Sequence, residues 1–238
     1  MSSIKFLLFF VLISSSFYGQ KSKEVFYIEN EALKCIADSP NKLENGFCHC
    51  FDKNDVLRQR HLYKQSKLIE VVFYDEKGLK TNLIAYYNNG IIKSNGNLIN
   101  KKYEGEWTFF DKDGKKEIVQ NYKNGLRDGK TLFYSPNGTI TNEHYFRNDT
   151  MTGVSTSFYN NGKVLSQQYV HNNIRFGISP TFDSLGNRIS SDFYYNDKVI
   201  VSFSYSENRL DKCGFREWRD IEDTNQFIPY KSSYSQDM

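Results

Sequence analysis

Apolar and polar residues alternate along most of the chain, in short runs that end at glycine or asparagine. The run from Gly105 to Gly114 is rich in aromatic residues and closes in a polar cluster, which is typical of a strand that enters a turn. A second run, Lys115 to Tyr122, leads into Asn124-Gly125, a dipeptide suited to a type I′ turn because both residues tolerate positive φ. No segment has a helical period. Each such segment therefore predicts two short strands and two tight turns.

This pattern recurs every 24 residues from about Thr81 onward. Four columns of residues share the period: Asn100, Asn124, Asn148, Asn172 and Asn196; Gly90, Gly114, Gly138, Gly162 and Gly186; Gly105, Gly129, Gly153 and Gly177; and the aromatic residues Tyr86, Phe110, Tyr134, Phe158 and Phe182. A fixed period of this length indicates a repeat architecture. We expect an all-β fold, an elongated single-layer antiparallel meander of tandem 24-residue β-hairpin repeats with N- and C-terminal caps.

Alternation places the aromatic column on one face of the predicted sheet, where we expect it to form ladders from unit to unit. Four aromatic residues outside that column are the first candidates for a contact role: Trp107, Phe109, Phe133 and Tyr159. Large aromatic side chains give contact area at small entropic cost, so we treat these four as candidate contacts for a protein partner. The alternative is a second packing face, covered by the caps or by the twist of the sheet.

The units resemble the MORN repeat, and more closely its bacterial variant, in which glycine, a short aromatic strand, a turn and a tyrosine-containing second strand recur. The best matches are Gly105 to Gly114, Gly129 to Gly138 and Gly153 to Gly162, within a resemblance that covers roughly residues 68 to 205. The resemblance implies a platform that contacts protein or lipid, or an appendage to an enzyme, and bacterial variants are often labelled antitoxin-like. Thr81 and Val201 replace the opening glycine and Leu210 the turn glycine, as in degenerate capping units.

The rest of the chain divides by composition. Residues 1–19 predict a signal peptide, with Lys5, an apolar core from Phe6 to Ile13 and a stretch of small residues. Residues 20–67 form the predicted N-terminal cap with a degenerate first repeat, 68–210 the array, and 211–238 the C-terminal cap and tail. The apolar core is too short for a span of about 30 Å, and no cysteine stands at the expected cleavage site. We expect a protein exported to the periplasm, cell surface or medium, with neither a lipid anchor nor a membrane span after cleavage.

Four cysteines, Cys35, Cys48, Cys50 and Cys213, favour a disulfide in an exported chain. Cys48 and Cys50 are too close in sequence to pair without strain, so Cys35 is expected to pair with one of them. Cys213 lies beyond the array, and its pairing stays open. The spacing of Cys48-His49-Cys50 differs from that of structural zinc sites, so we expect no metal.

Catalytic and nucleic-acid-binding motifs are not found in the sequence. The formal net charge is +3 and the charges are interspersed, whereas a nucleic-acid stripe needs clustering. No nucleophile elbow, paired-histidine motif or P-loop occurs, so we expect no enzyme and no cofactor. The sequence predicts an exported, non-catalytic protein-interaction platform. Two alternatives stay open: a self-associating structural envelope protein, and an immunity or antitoxin-like protein that neutralises an exported toxin.

Overall fold

The structure is a computed structural model that describes residues 25–28, 32–38, 44–206 and 209–215. Eighteen strand segments in these ranges form one antiparallel sheet with the strand order of a meander, and no α-helix occurs there. Two short consecutive segments, Thr150–Met151 and Gly153–Phe158, pair with the same preceding strand. The strands are β1 Val25–Ile28, β2 Leu33–Ala37, β3 Asn45–Phe51, β4 Leu57–Lys64, β5 Lys67–Tyr74, β6 Lys80–Tyr86, β7 Ile92–Ile99, β8 Lys102–Phe110, β9 Lys116–Lys123, β10 Leu126–Tyr134, β11 Ile140–Arg147, β12 Thr150–Met151, β13 Gly153–Phe158, β14 Val164–His171, β15 Ile174–Phe182, β16 Arg188–Tyr195, β17 Lys198–Ser206 and β18 Arg209–Phe215. The predicted signal peptide and the tail after Phe215 lie outside the described residues. The expected meander is confirmed.

The asparagine column makes the tight turns that the sequence predicted. Asn124 has a φ of 53° and Gly125 a φ of 85°, and the other four asparagine turns also have two successive residues with positive φ. Asparagine visits this left-handed region at lower cost than most other side chains, which explains why it holds the column.

The turns of the first glycine column are built differently. In the turn after β8, a side-chain oxygen of Asp111 accepts hydrogen bonds from the amides of Asp113 (2.9 Å) and Lys115 (2.8 Å). The amide of Gly114, with a φ of 81°, donates to the Asp111 carbonyl at 3.1 Å. The side chain of Asp111 at the start of this turn thus satisfies two amides that do not pair within the sheet.

The second glycine column lies inside strands, whereas the sequence placed it at the opening of each unit. Asn97 pairs with Glu104, but the preceding residue, Gly96, pairs with Trp107, so β8 carries two additional residues around Gly105. Comparable register shifts occur in β10 around Gly129 and in β15 around Gly177. The positive φ of Gly105 (67°) bends the strand at that point, and such bulges increase the local twist of the sheet.

Successive units are joined at both ends of their strands. At the asparagine turns, the amides of Gly125, Asp149, Asn173 and Asp197 donate to the carbonyls of Tyr103, Arg127, Met151 and Arg175, at 2.9 to 3.1 Å. At the opposite ends, Tyr87 Oη donates to the Phe110 carbonyl and Asn89 Nδ2 to the Lys112 carbonyl. Two residue pairs strengthen the asparagine edge further, because the guanidinium groups of Arg127 and Arg175 bind the carboxylates of Asp149 and Asp197, each at 2.9 Å. The turns therefore fix the stacking of the units.

The expected ladders of the aromatic column do not form among the described residues. Equivalent aromatic residues lie two strands apart, and a residue of the intervening strand stands between them: Phe110 pairs with Lys116. The ammonium group of Lys116 lies 5.5 Å from the centre of the Tyr134 ring, a cation–π distance. Along each row that crosses the sheet, an aromatic ring of the column therefore alternates with a residue of the intervening strand, such as Lys116.

The segment predicted as the N-terminal cap contains β1 to β4, which continue the same sheet. Two successive turns at the start of the array, after β5 and after β6, are of the same type, since the amide of Asp75 donates to the Leu79 carbonyl and the amide of Tyr87 to the Ile91 carbonyl. Successive turns of a meander lie at opposite ends of the strands. The tight two-residue turns therefore lie at one edge of the sheet before β6 and at the opposite edge after it.

Replacing Lys101 with glycine is expected to stabilise the protein. Lys101 has a φ of 64°, which a β-carbon disfavours, so the free energy of unfolding should rise by up to about 1 kcal/mol. The matched control is Lys102→Gly, one residue further in β8, which should lose roughly 0.5 to 1 kcal/mol. Urea denaturation of both variants measures the difference, and equal destabilisation by both would contradict the account.

Candidate functional site

Trp107 is completely buried. Its ring stacks on Tyr103 with centroids 3.6 Å apart, and its indole nitrogen donates to the Asn97 carbonyl at 3.0 Å. The strand beside it carries Gly96, where an added β-carbon would lie 2.3 Å from the indole ring. The indole therefore covers the backbone of β7, and this environment favours the packing alternative for Trp107.

The structure does not gather the other three candidate aromatics into one surface. Phe109 is half-buried beside Trp107, with centroids 6.2 Å apart, and Phe133 lies edge-on to His144 at 5.2 Å. Tyr159 stands at a turn, where its hydroxyl donates to the Phe182 carbonyl at 2.8 Å. Partner contacts by these residues stay a prediction.

A row of exposed and half-buried apolar residues crosses the C-terminal half of the sheet, and we call it the apolar strip. Cross-strand pairs in β13 to β17 connect its members, except that Phe176 and Ile178 both lie on β15; the members are Val154, Tyr169, Phe176, Ile178, Phe193 and Val201. Tyr169, Phe176 and Ile178 are 44 to 49% exposed. Contiguous apolar surface of this kind on a soluble protein marks an interaction site more often than isolated exposed residues do.

Alternation along the sequence does not reveal the apolar strip, which includes Tyr169 and Phe193. Their partners Phe176 and Ile178 flank Gly177, whose φ of 76° interrupts the alternation that assigns residues to faces. The only available signal was a pair of large apolar residues on both sides of a column glycine.

A groove of 710 Å³ adjoins the apolar strip, and Val154 lines both. Its other lining residues include Asp128, Glu143, Tyr145 and Gln167. The groove lies at Thr152, where the strand is interrupted between β12 and β13. The amide of Thr152 donates to the Tyr145 carbonyl at 2.9 Å. The break therefore adds a concave region with polar groups beside an apolar surface, which is a common composition of binding sites.

Glu143 is held in its ionised form within this groove. Burial opposes its ionisation, but hydrogen bonds from the Tyr145 hydroxyl (2.7 Å) and the Lys130 ammonium (3.0 Å) prevail and lower its pKa. The carboxylate is thus already neutralised by neighbours. It serves to position Tyr145 and Lys130 rather than to exchange protons near neutral pH.

A disulfide joins Cys35 to Cys50 across β2 and β3, which decides between the two pairings that the sequence left open. Cys48 and Cys213 are thiols. Cys50 is consequently not available as a thiolate ligand, and His49 Nδ1 lies 3.0 Å from a carboxylate oxygen of Asp38. No group of three metal-binding side chains occurs within the described ranges.

His61 is buried beside this disulfide. Its Nε2 lies 2.8 Å from the Gln59 side-chain oxygen and 3.8 Å from Cys50 Sγ, while its Nδ1 has no hydrogen-bond partner in the described structure. Burial lowers the pKa of His61 from 6.5 to about 4. The imidazole is therefore neutral at pH 7, and a single fixed hydrogen bond orients it.

These features define a single-sheet protein built from tandem β-hairpin repeats. The family model of the MORN repeat variant matches three consecutive units, residues 103–124, 127–148 and 151–172, in phase with the columns above. These units are MORN repeat variants. The family is generally non-catalytic and indicates a repeat-based binding or structural protein. A search of the curated proteins finds no match to the chain.

Replacing Trp107 with alanine should remove about 3 to 5 kcal/mol from the free energy of unfolding, because a fully buried indole leaves a cavity. Tyr169→Ala, at a side chain that is 47% exposed, serves as the control and should cost far less. Thermal and urea denaturation measure both. A Trp107 variant as stable as the Tyr169 variant would show that the indole does not support the fold.

Acidification should destabilise the protein through His61. Because its folded pKa is lower than its unfolded pKa of 6.5, the unfolded state binds the proton first as the pH falls. The free energy of unfolding should decrease between pH 6.5 and about 4, by roughly 3 kcal/mol in total. His61→Gln removes this contribution and leaves those of the other groups, so urea denaturation of the two proteins across this range isolates it. Parallel pH profiles would contradict the assignment.

Proposed function

We propose that this protein is an exported, non-catalytic platform that binds another protein through the apolar strip and the adjoining groove. The observation that carries the proposal is the exposure of Tyr169, Phe176 and Ile178 on neighbouring strands. The rings of Tyr169 and Phe176 lie 6.4 Å apart, so the strip offers aromatic and aliphatic side chains on a rigid sheet. Anchors of this type dominate binding energy at protein interfaces.

The groove supports a protein partner over a small ligand. Its polar groups surround an open depression beside the strip instead of enclosing a ligand, and it is lined on one side by the exposed Arg147. A partner seated on the strip would extend one segment into this depression. Side-chain and backbone groups of such a segment would form hydrogen bonds with Gln167, Thr156 and Tyr145, which line the groove.

Export is supported by the Cys35–Cys50 disulfide, since disulfides persist in oxidising compartments. The apolar stretch from Phe6 to Ile13 supports it further. In the part of the chain that the structure describes, no helix is long and apolar enough to cross a membrane.

A quantitative pull-down tests the function. The wild-type protein, a strip variant with Phe176→Ser and Ile178→Ser, and a control variant with Leu185→Ser are used as baits for envelope and medium fractions. Leu185 is 73% exposed but lies in a turn outside the strip. We expect one saturable partner, captured equally by wild type and control and at least about tenfold more weakly by the strip variant.

Two other outcomes reject the proposal in different ways. Recovery of the bait only as multimers of itself would favour the self-associating envelope protein, and capture that the strip variant retains would place the interface elsewhere. A partner that proves to be a secreted toxin, with its activity inhibited on binding, would favour the antitoxin-like alternative. Circular dichroism of all three baits first establishes that they are folded.

A further inference from the structure

We propose that Cys35, Cys48, Cys50 and His61 hold a tetrahedral zinc ion when the Cys35–Cys50 disulfide is reduced. The site is separate from the apolar strip and does not rest on the proposed function. The oxidised chain joins β2 to β3 by the disulfide, whereas the reduced chain would join β2, β3 and β4 through the metal. Two observations carry the proposal: the register gathers these side chains on one face, and His61 has a buried nitrogen with no hydrogen-bond partner in the described structure.

The register of the sheet brings the three cysteines together. Cys48 and Cys50 are two residues apart in β3, so their side chains lie on the same face. Cys35 in β2 lies directly opposite Cys50. All three side chains are completely buried and belong to one packed cluster. A single ion within this cluster would therefore be in reach of three sulfur atoms.

His61 supplies the fourth ligand from β4. It lies directly opposite Cys48, and its Nε2 is 3.8 Å from Cys50 Sγ, so the imidazole ring stands against the sulfur cluster. Gln59 Oε1 can only accept a hydrogen bond, and the Nε2 atom 2.8 Å away therefore carries the proton. The lone pair of Nδ1 is left buried and without a partner in the described structure. Metal-binding histidines donate their second ring N–H to an oxygen in the same way.

The ligand set includes His61 and not His49. His49 lies between the two cysteines of β3, but alternation turns its side chain to the opposite face, where Nδ1 lies 3.0 Å from a carboxylate oxygen of Asp38. The spacing Cys48-His49-Cys50, which differs from that of structural zinc sites, therefore does not describe the ligands. They come from three adjacent strands instead, and three cysteines with one histidine are a common ligand set of structural zinc.

Reduction releases two of the four ligands. While the disulfide is intact, only Cys48 and His61 are available, which agrees with the absence of a group of three ligands in the described ranges. A dithiol reductant gives two electrons and two protons to the disulfide: the S–S bond breaks, Cys35 and Cys50 become thiols, and the reductant becomes a disulfide. Zn²⁺ then replaces the protons of the three thiols, which pass to solvent, and Nδ1 donates its lone pair to the ion.

The surroundings of the cluster suit a zinc–thiolate centre. Three thiolates exceed the charge of one Zn²⁺ ion, so the buried site carries excess negative charge and benefits from hydrogen-bond donors. Tyr63 packs against the cluster, and burial, followed by the neighbouring Cys48, raises the pKa of its hydroxyl to about 12. The hydroxyl therefore stays protonated and can donate. Burial lowers the pKa of His61 to about 4, so a proton does not compete with the metal at pH 7.

Titration of the purified chain with Co²⁺ tests the site, because tetrahedral cobalt absorbs visible light and cobalt–thiolate bonds add charge-transfer absorption in the near ultraviolet. The chain is reduced with dithiothreitol, which is then removed by gel filtration without oxygen. A thiol assay in denaturant should count four thiols after reduction and two before it. We expect one equivalent of Co²⁺ to give both absorptions in the reduced chain and neither in the oxidised chain. Zn²⁺ should displace the cobalt, because it binds such sites more tightly.

Two variants remove one ligand each and keep both cysteines of the disulfide. Cys48→Ser should weaken Co²⁺ binding by the reduced chain at least about a hundredfold and reduce the charge-transfer absorption. His61→Gln should weaken binding to a similar extent. The matched control is Cys213→Ser, at an exposed thiol in β18, which should bind Co²⁺ as the wild type does. Circular dichroism of the oxidised variants, and of the reduced chains with and without metal, establishes whether each is folded.

Three results would overturn the proposal. The first is a reduced wild type with four thiols and no cobalt absorption, whether or not it stays folded. The second is binding that Cys48→Ser and His61→Gln retain, or that the oxidised chain shows equally, because either places the metal elsewhere. The third is loss of binding in Cys213→Ser, which would assign the metal to a different set of thiols. The pull-down through the apolar strip uses the oxidised chain, so its outcome is independent of these results.

Discussion

The part of the chain that the structure describes forms one sheet layer, which must shield its own side chains, and this constraint explains much of the structure. Long cationic side chains take the place of the missing layer: the guanidinium groups of Arg60, Arg127 and Arg175 lie 4.3 to 4.6 Å from the ring centres of Phe47, Phe146 and Tyr194. Arginine suits this role because its apolar stem covers a ring while its charged group stays in contact with water. Small residues are buried within the sheet as well, as Thr131 and Ser191 are at 1% exposure.

The same constraint makes Trp107 exceptional. A full-sized aromatic side chain reaches 0% exposure here because the neighbouring strand offers a bare backbone at Gly96 and the adjacent ring of Tyr103 covers the indole. Where the row continues, smaller and more polar residues suffice. Among the described residues, Tyr169, Phe176 and Ile178 of the apolar strip keep 44 to 49% of their surface exposed on neighbouring strands, which is why the strip has functional weight.

The repeat and its turns were predictable because they depend on the local backbone. Asn124 and Gly114 occupy positions that require positive φ, and that requirement is visible in a single sequence. The exchange of turn type at β6 and the pairing of Phe110 with Lys116 depend on register, which alternation alone does not determine. The apolar strip was missed for the same reason, since the bulge at Gly177 interrupts the alternation. The choice of Cys50 over Cys48 likewise required the cross-strand register of β2 and β3.

The order of the strands also determines how this protein responds to mechanical force. The outermost described strands, β1 and β18, lie at opposite ends of the sheet, and the described strands pair in the order of the chain, with β12 and β13 both pairing with β11. Tension applied between the two ends acts perpendicular to the strands, so it loads the hydrogen bonds of a ladder one after another instead of all together. Hairpins would then open one at a time from the ends at low force, and the protein would lengthen in small steps. An array of this kind is an extensible tether whose interior units stay folded while its outer units yield.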